Sequence, residues 1–255
     1  MGERLSAEIC EMLESIDLAH LAGPSASSPA PRARPSAAAA EAAVLLRGSL
    51  RLSFICHSQG ALTLRAALQT KRFAPLLPAC RTLLSLGAPH LGWLYGENAL
   101  VKTLIRLLRH HPRATAIREL TLRDAANPQH SLLYRLNVDR NRLQHFDHVL
   151  LAACATDRYV PYNSASLDPS PEALADGRAK GVVYSAMLAH LLRQLREGGC
   201  EGLRIDVDFR LAGRSLDQSL GRAAHLQYLL DQHFVERLVF KYKDYFAPPA
   251  GVADV

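Results

Sequence analysis

A serine lies where an apolar run gives way to a segment of helical spacing, in the pentapeptide Cys56-His57-Ser58-Gln59-Gly60. This order predicts that Ser58 occupies a tight strand-to-helix turn, which holds its hydroxyl above the sheet edge. The helix N-terminus would favour the negative charge that develops during acyl transfer. Gly60 is expected to let the chain turn sharply and the helix pack closely. The expected chemistry is nucleophilic attack on an acyl carbon; the alternative is that Ser58 only caps the helix.

A serine hydroxyl needs a base to become a nucleophile, and the base needs a carboxylate to orient it. Asp157 follows the predicted strand Val149–Cys154, and His225 follows the predicted strand Leu203–Phe209. Both come after the serine, with the acid before the histidine, as in α/β-hydrolases. Each lies at the carboxyl end of a strand, where open α/β sheets bind ligands. We predict a triad with Ser58; the alternatives are a surface turn for Asp157 and a structural helix-start histidine for His225.

The elements that would position these residues alternate between strands and helices. Apolar runs predict four strands, at Leu50–Cys56, Arg81–Leu86, Val149–Cys154 and Leu203–Phe209. Helical spacing is found in Gly60–Thr70, in Val182–Leu195, in Leu220–Tyr242 and, with breaks at Pro112 and Pro128, from 97 to about 143. Strands separated by helices predict an α/β fold with a mostly parallel sheet flanked by helices.

The first part of the chain has a different character. Apolar residues at helical spacing from Leu5 to Ile16 predict an amphipathic helix. The segment Ala22–Ala40 is rich in Ala, Pro and Ser and offers little to bury in a core. We therefore expect residues 22–48 to form a disordered surface insertion.

Composition excludes several other classes of protein. The 255 residues are 49% hydrophobic and 21% charged, as expected for one globular α/β domain. The net charge of +6 comes mostly from scattered arginines without a dense basic stretch, so nucleic acid is not an expected partner. Five dispersed cysteines without a CxxC pair indicate reduced thiols, and no secretory leader or membrane-spanning run is present, so a cytoplasmic location is expected.

Metal ions and cofactors are not expected either. His145, Asp147 and His148 contain ligand side chains, but no suitably spaced cluster accompanies them. We therefore predict neither a metal site nor a cofactor.

In six ordered blocks the chain resembles a known family. These blocks are LSFICHSQGALTLRAAL, LLSLGAPHLGWLYGENALV, LTLRDAANPQHSLLYRLN, VLLAACATDRYVPYNSA, VYSAMLAHLL and SLGRAAHLQYLL. They resemble the putative serine esterase family, a lipase-like domain of unknown function in the α/β-hydrolase superfamily that ends certain large eukaryotic proteins. The resemblance runs from about Leu50 to the C-terminus, and Arg4–Ile16 matches the preceding helix.

The resemblance implies an ester-cleaving hydrolase that acts on a lipid or other acyl ester. It implies Ser58 as the nucleophile, Asp157 as the acid, His225 as the base, and the backbone N–H of Gln59 as an oxyanion donor. Together with the insertion (22–48) inferred from composition, it implies a division into an N-terminal helix of the hydrolase domain (1–21) and a lipase-like esterase domain (49–255) with a helical cap at about 93–145.

The chain departs from the family pattern in three places. Cys56 replaces the first glycine of G-x-S-x-G, and the insertion is additional. The N-terminal strands, including one followed by a His-Gly loop that supplies a second oxyanion N–H, have no counterpart. We therefore expect a truncated sheet in which Leu50–Cys56 is an open edge, and a chain that is a fragment or part of a longer protein. Loss of one oxyanion donor typically lowers the rate by about a hundred- to a thousandfold.

Two functions from different classes stay open at this point. One is a serine esterase whose acyl pocket is walled or capped by Pro89–Trp93 and Glu97–Pro112. The other is a catalytically impaired hydrolase-like module that binds protein or lipid. The apolar and basic residues of Glu97–Pro112 fit either a packed cap helix or a peripheral membrane contact. The oligomeric state is left open.

Overall fold

A computed structural model describes residues 1–21, 50–96, 114–138, 142–209 and 222–247, together with 103, 107 and 111. The predicted insertion 22–48 and most of the Glu97–Pro112 segment lie outside these residues. No helix in the described part of the chain has the length and apolarity needed to cross a membrane.

The sheet has four parallel strands in the order β1-β2-β3-β4. They are β1 (Leu52–His57), β2 (Cys80–Leu86), β3 (His148–Cys154) and β4 (Glu201–Val207). The four strands lie where the sequence predicts them, within one or two residues at each end. Because all four run parallel, their carboxyl ends share one edge, and the loops that follow them meet there.

Strand β1 is only partly buried, although it lies in an apolar run. Its side chains alternate: Phe54 is partly buried, whereas Ile55 is 62% exposed. Within the described residues β1 pairs only with β2, and helices cover one of its faces. The apolar run therefore does not mean that β1 is buried on both faces. Of the four described strands, only the central strands β2 and β3 are buried on both faces.

Helices fill the connections. They are α1 (Gly2–Leu21), α2 (Gly60–Ala67), α3 (Thr115–Leu120), α4 (Leu132–Asn137), α5 (Tyr162–Ser166), α6 (Pro171–Ala175), α7 (Ala179–Glu197), α8 (Arg222–Leu230) and α9 (Gln232–Tyr242). Short 3₁₀ turns occur at Ala74–Ala79, Pro128–His130, Leu143–His145 and Lys243–Tyr245. Helices α5 and α6 were not predicted, because five residues are too few to show a helical period.

The predicted helix Leu220–Tyr242 is two helices in the structure. The break falls at Asp231, whose carboxylate accepts a hydrogen bond from the Phe234 N–H at 3.0 Å and so caps α9. An N-cap residue has non-helical dihedrals, so a capping Asp within a helical pattern starts a new helix.

The core consists of two layers, one on each face of the sheet. On β2, Leu83 packs into the layer with α2 and α7, and Leu84 packs into the layer with α8 and α9. On β3, Val149 packs into the layer with α2 and α7, and Leu150 packs into the layer with α8 and α9. This three-layer arrangement confirms the predicted α/β class.

Candidate active site

The turn between β1 and α2 is formed by Ser58 itself. Ser58 has a φ of 55°, in the left-handed region that non-glycine residues rarely adopt, and its N–H donates to the Leu86 carbonyl at 2.9 Å. The sharp turn expected from Gly60 is therefore displaced by two residues. An ideal Cβ at Gly60 has no described atom within 4 Å, so close packing does not require a glycine there. A strained nucleophile turn, with the hydroxyl exposed at its apex, is the geometry of a nucleophile elbow.

Asp157 follows β3 and is 5% exposed. Its N–H donates to the Cys154 carbonyl, which folds the chain back after the strand. Its Oδ1 accepts the backbone N–H groups of Tyr159 at 2.9 Å and Val160 at 3.1 Å. These two bonds occupy one carboxylate oxygen, fix the side chain, and leave Oδ2 for another partner.

His225 lies in α8 and connects the other two residues. Its Nδ1 lies 2.7 Å from Asp157 Oδ2, and its Nε2 lies 2.9 Å from Ser58 Oγ. A carboxylate only accepts hydrogen bonds, so Nδ1 holds the proton of the neutral ring and Nε2 is free to accept from the serine hydroxyl. The three residues predicted from the sequence thus form one hydrogen-bonded chain, with His225 only 3% exposed.

This chain of hydrogen bonds can move a proton from Ser58 to His225. A serine hydroxyl becomes nucleophilic when an adjacent base takes its proton, and Asp157 stabilises the imidazolium that results. Burial raises the pKa of the nearby Cys56 thiol to about 11, so it stays protonated. Of the two side chains, Ser58 is therefore the one prepared for attack.

Gln59 is the N-cap residue of α2 and directly follows the serine. With φ −62° and ψ −16° it already has helical dihedrals, so its N–H lies at the N-terminal end of the helix. The first N–H groups of a helix have no partner within it and are available to an anion. This is the position that the sequence predicts for an oxyanion donor.

Three residues around the triad were not predicted as part of the site. His57 donates toward the His225 carbonyl, Tyr228 packs beneath the site, and Gly87 lies against Tyr228 with a φ of +54°. An ideal Cβ at Gly87 would lie 3.4 Å from Asp157 Oδ2 and 2.7 Å from Tyr228 Cε2. The sequence contains a signal for Gly87, because a glycine directly follows a predicted strand at that position. It contains no such signal for His57 or Tyr228.

An open cavity of about 1000 Å³ lies along one side of α2, and Gln59 is among its lining residues. Residues of α1, α3 and α4 form its other walls. The described lining of this cavity does not include Pro89–Trp93, nor Ser58, Asp157 or His225. The expectation that Pro89–Trp93 walls the acyl pocket therefore stays a prediction. His90 and Leu91 are fully buried, which removes the middle of that loop from any open surface.

The residues considered as metal ligands have separate partners. Asp147 pairs with Arg81 at 3.4 Å, and His148 pairs with Glu201 at 3.1 Å. Across the described ranges, no group of three or more His, Cys, Asp or Glu side chains could hold a metal ion.

A family model described as "Putative serine esterase (DUF676)" matches residues 1–167 of the chain. The match includes Ser58 and Asp157, and His225 lies after it. It therefore covers α1, the elbow, and strands β1 to β3 with the loop that carries the acid.

Proposed function

Since the chain belongs to the putative serine esterase family, we propose that it is a carboxylic ester hydrolase that forms an acyl-enzyme on Ser58. The observation that carries this proposal is the pair of hydrogen bonds made by His225, at 2.9 Å to Ser58 and 2.7 Å to Asp157. Ser58 is the nucleophile, His225 the general base and Asp157 the acid that orients it.

In the first half of the reaction, Ser58 Oγ attacks the carbonyl carbon of the ester while His225 Nε2 takes the hydroxyl proton. The carbonyl oxygen becomes an oxyanion, to which the Gln59 N–H donates a hydrogen bond. The tetrahedral intermediate collapses when the C–O bond to the alcohol breaks. His225 gives its proton to the departing alcohol, and the acyl group stays on Ser58.

The second half repeats these steps with water. His225 takes a proton from a water molecule as that oxygen attacks the acyl carbon. The bond to Ser58 then breaks, the serine oxygen recovers the proton from His225, and a carboxylic acid leaves. Asp157 accepts the Nδ1–H of His225 throughout and so keeps the imidazole in place.

We propose that the acyl group is lipid-like and lies in the cavity that Gln59 lines. The cavity is at the upper end of the size of small-molecule sites, and leucines provide much of its wall. These leucines are Leu62, Leu120, Leu132, Leu133 and Leu136. An acyl chain placed in this cavity can bury its carbons against them.

The five free cysteines support a reducing compartment, and we propose that the protein acts in the cytoplasm. None of these thiols has a role in the proposed reaction. Extraction of the intact protein from cells under thiol-trapping conditions tests this proposal: all five thiols should be recovered in the reduced form.

A fluorophosphonate probe tests the catalytic proposal directly, because it bonds covalently to an activated serine and releases fluoride. Wild-type protein should be labelled, Ser58→Ala should not, and Ser53→Ala should be labelled like wild type. Ser53 is a matched control because it is an exposed serine of β1, the strand that leads to Ser58. A folded wild-type protein that is not labelled would contradict the enzyme proposal and favour a hydrolase-like binding module.

A further inference from the structure

The residue before the nucleophile touches the residue proposed as the base. His57 Nε2 lies 2.9 Å from the backbone carbonyl oxygen of His225. The two imidazole rings are also in contact, with centroids 4.6 Å apart and planes tilted by 39°. The adjacent residues His57 and Ser58 therefore hold His225 at two points, one on its backbone and one on its side chain.

We propose that His57 is a positioning residue that fixes the backbone and ring of His225 so that Nε2 of the base stays on the Ser58 hydroxyl. This inference rests on the proposed function, because it takes His225 to be the base. His57 takes no part in proton transfer and acts through His225 alone.

The hydrogen bond defines which nitrogen of His57 carries the proton. A carbonyl oxygen only accepts, so Nε2 must be the donor. Burial lowers the pKa of His57, and the ring is neutral at neutral pH, with Nδ1 unprotonated. A neutral ring is also what the reaction needs, since a charged His57 would repel the imidazolium that forms on His225.

The contact joins parts of the fold that are far apart in sequence. His57 is the last residue of β1, the first strand in the order of the sheet. His225 belongs to α8, in the helical layer on one face of the sheet. Asp157, after β3, fixes only Nδ1 of the base. A helix that shifted by a fraction of an ångström would keep the Asp157 bond by rotating the ring, but it would move Nε2 off the serine. The His57 bond restrains that movement.

The test compares two substitutions that separate ring packing from hydrogen bonding. His57→Phe keeps an aromatic ring against His225 and removes the N–H. His57→Gln removes the ring and can place an amide N–H close to the position of Nε2. Melting temperature and near-UV circular dichroism verify that each variant is folded. The readouts are the rate constant for fluorophosphonate labelling and, separately, kcat and KM for p-nitrophenyl acetate.

We expect His57→Phe to lower kcat and the labelling rate by roughly ten- to a hundredfold with little change in KM, because a small displacement of the base is costly. His57→Gln should lie closer to wild type than to His57→Phe. Equal rates for wild type and His57→Phe would overturn the inference while leaving the proposed function intact. Absence of labelling in wild type would instead overturn the proposed function.

A measurement of the tautomer in wild-type protein does not depend on turnover. Long-range ¹H–¹⁵N correlation of ¹⁵N-histidine protein reports the tautomer of each ring, and the His57→Gln spectrum or a selective label identifies the His57 signals. The inference requires the Nε2–H tautomer at pH 7. An Nδ1–H tautomer or a charged ring for His57 would overturn it whether or not the protein cleaves esters.

Discussion

Gly87 and Tyr228 meet beneath Asp157, and the fit between them requires a glycine. A Cβ at position 87 would lie 2.7 Å from Tyr228 Cε2 and 3.4 Å from Asp157 Oδ2. Tyr228 has no exposed surface, and its ring contacts Phe209 and Phe234, so it has little room to move. Gly87, in the loop after β2, therefore packs together with Tyr228 next to Asp157, the acid of the proposed triad.

Gly87→Ala should therefore destabilise the protein by about 2–4 kcal/mol. A φ of +54° costs an L-residue about 1–2 kcal/mol, and overlap with a packed ring costs about as much again. Labelling of Ser58 should also slow, because Tyr228 and Asp157 must shift. Urea denaturation and probe kinetics measure the two effects. Gly202→Ala is the control, since no described atom lies within 4 Å of its Cβ; equal stability of the two variants would contradict this account.

Ser58→Gly should be more stable than Ser58→Ala, although neither variant can form an acyl-enzyme. Both remove the hydroxyl, but Ala keeps a Cβ at a φ of 55°. Relief of the left-handed conformation is worth about 1–2 kcal/mol, and the greater freedom of glycine in the unfolded chain offsets about half of it. We expect a difference of about 1 kcal/mol in free energy of unfolding. A Ser58→Ala variant as stable as Ser58→Gly would show that the elbow holds no strain.

The sequence predicted the strands and the order of the site residues because both depend on local pattern. Apolar runs ended by turn residues mark all four strands, and Ser58, Asp157 and His225 each follow one of them. Parallel strands bring their carboxyl ends to one edge, so three residues spread over 168 positions become neighbours without any knowledge of packing.

Features that depend on packing between distant segments could not be predicted in this way. Nothing in the sequence near His57 indicates that its ring meets His225. The wall of the cavity comes from α1, α2, α3 and α4, and their arrangement is set by contacts such as the close approach of Gly2 to Ala66. The sequence predicts Ser58 in the tight turn, but it does not show that Ser58, and not Gly60, has the left-handed conformation.

A buried histidine outside the proposed triad should make stability depend on pH. His90 is fully buried, with Nε2 2.9 Å from Ser85 Oγ, and burial together with nearby Arg65 lowers its pKa to about 3. The unfolded chain binds a proton near pH 6.5 and the folded chain does not. The free energy of unfolding should therefore fall as pH drops from 6.5 toward 3, by about 2 kcal/mol from this residue at pH 5.

His90→Gln removes this titration and can keep the bond to Ser85. Its free energy of unfolding should be lower than that of wild type at pH 7, because the fit is imperfect, but should decline less between pH 6.5 and 5. Chemical denaturation at several pH values measures both slopes. Parallel slopes for the two proteins would mean that His90 does not carry the effect.

Narrowing the cavity beside Gln59 should shorten the acyl chain that the protein accepts. Leu132 is a partly exposed residue of α4 that lines the cavity, so Leu132→Trp places a larger side chain in the proposed path of the acyl group. Arg135→Trp is the control, an exposed position on the same helix that does not line it. For p-nitrophenyl laurate, kcat/KM should fall about tenfold or more in Leu132→Trp, while acetate hydrolysis stays near wild type. The control should keep both activities.

If Leu132→Trp retains the chain-length profile of wild type, the acyl group lies elsewhere. Loss of both acetate and laurate hydrolysis would instead indicate damage at Ser58 or His225. Fluorophosphonate labelling of Leu132→Trp distinguishes a damaged triad from a narrowed cavity.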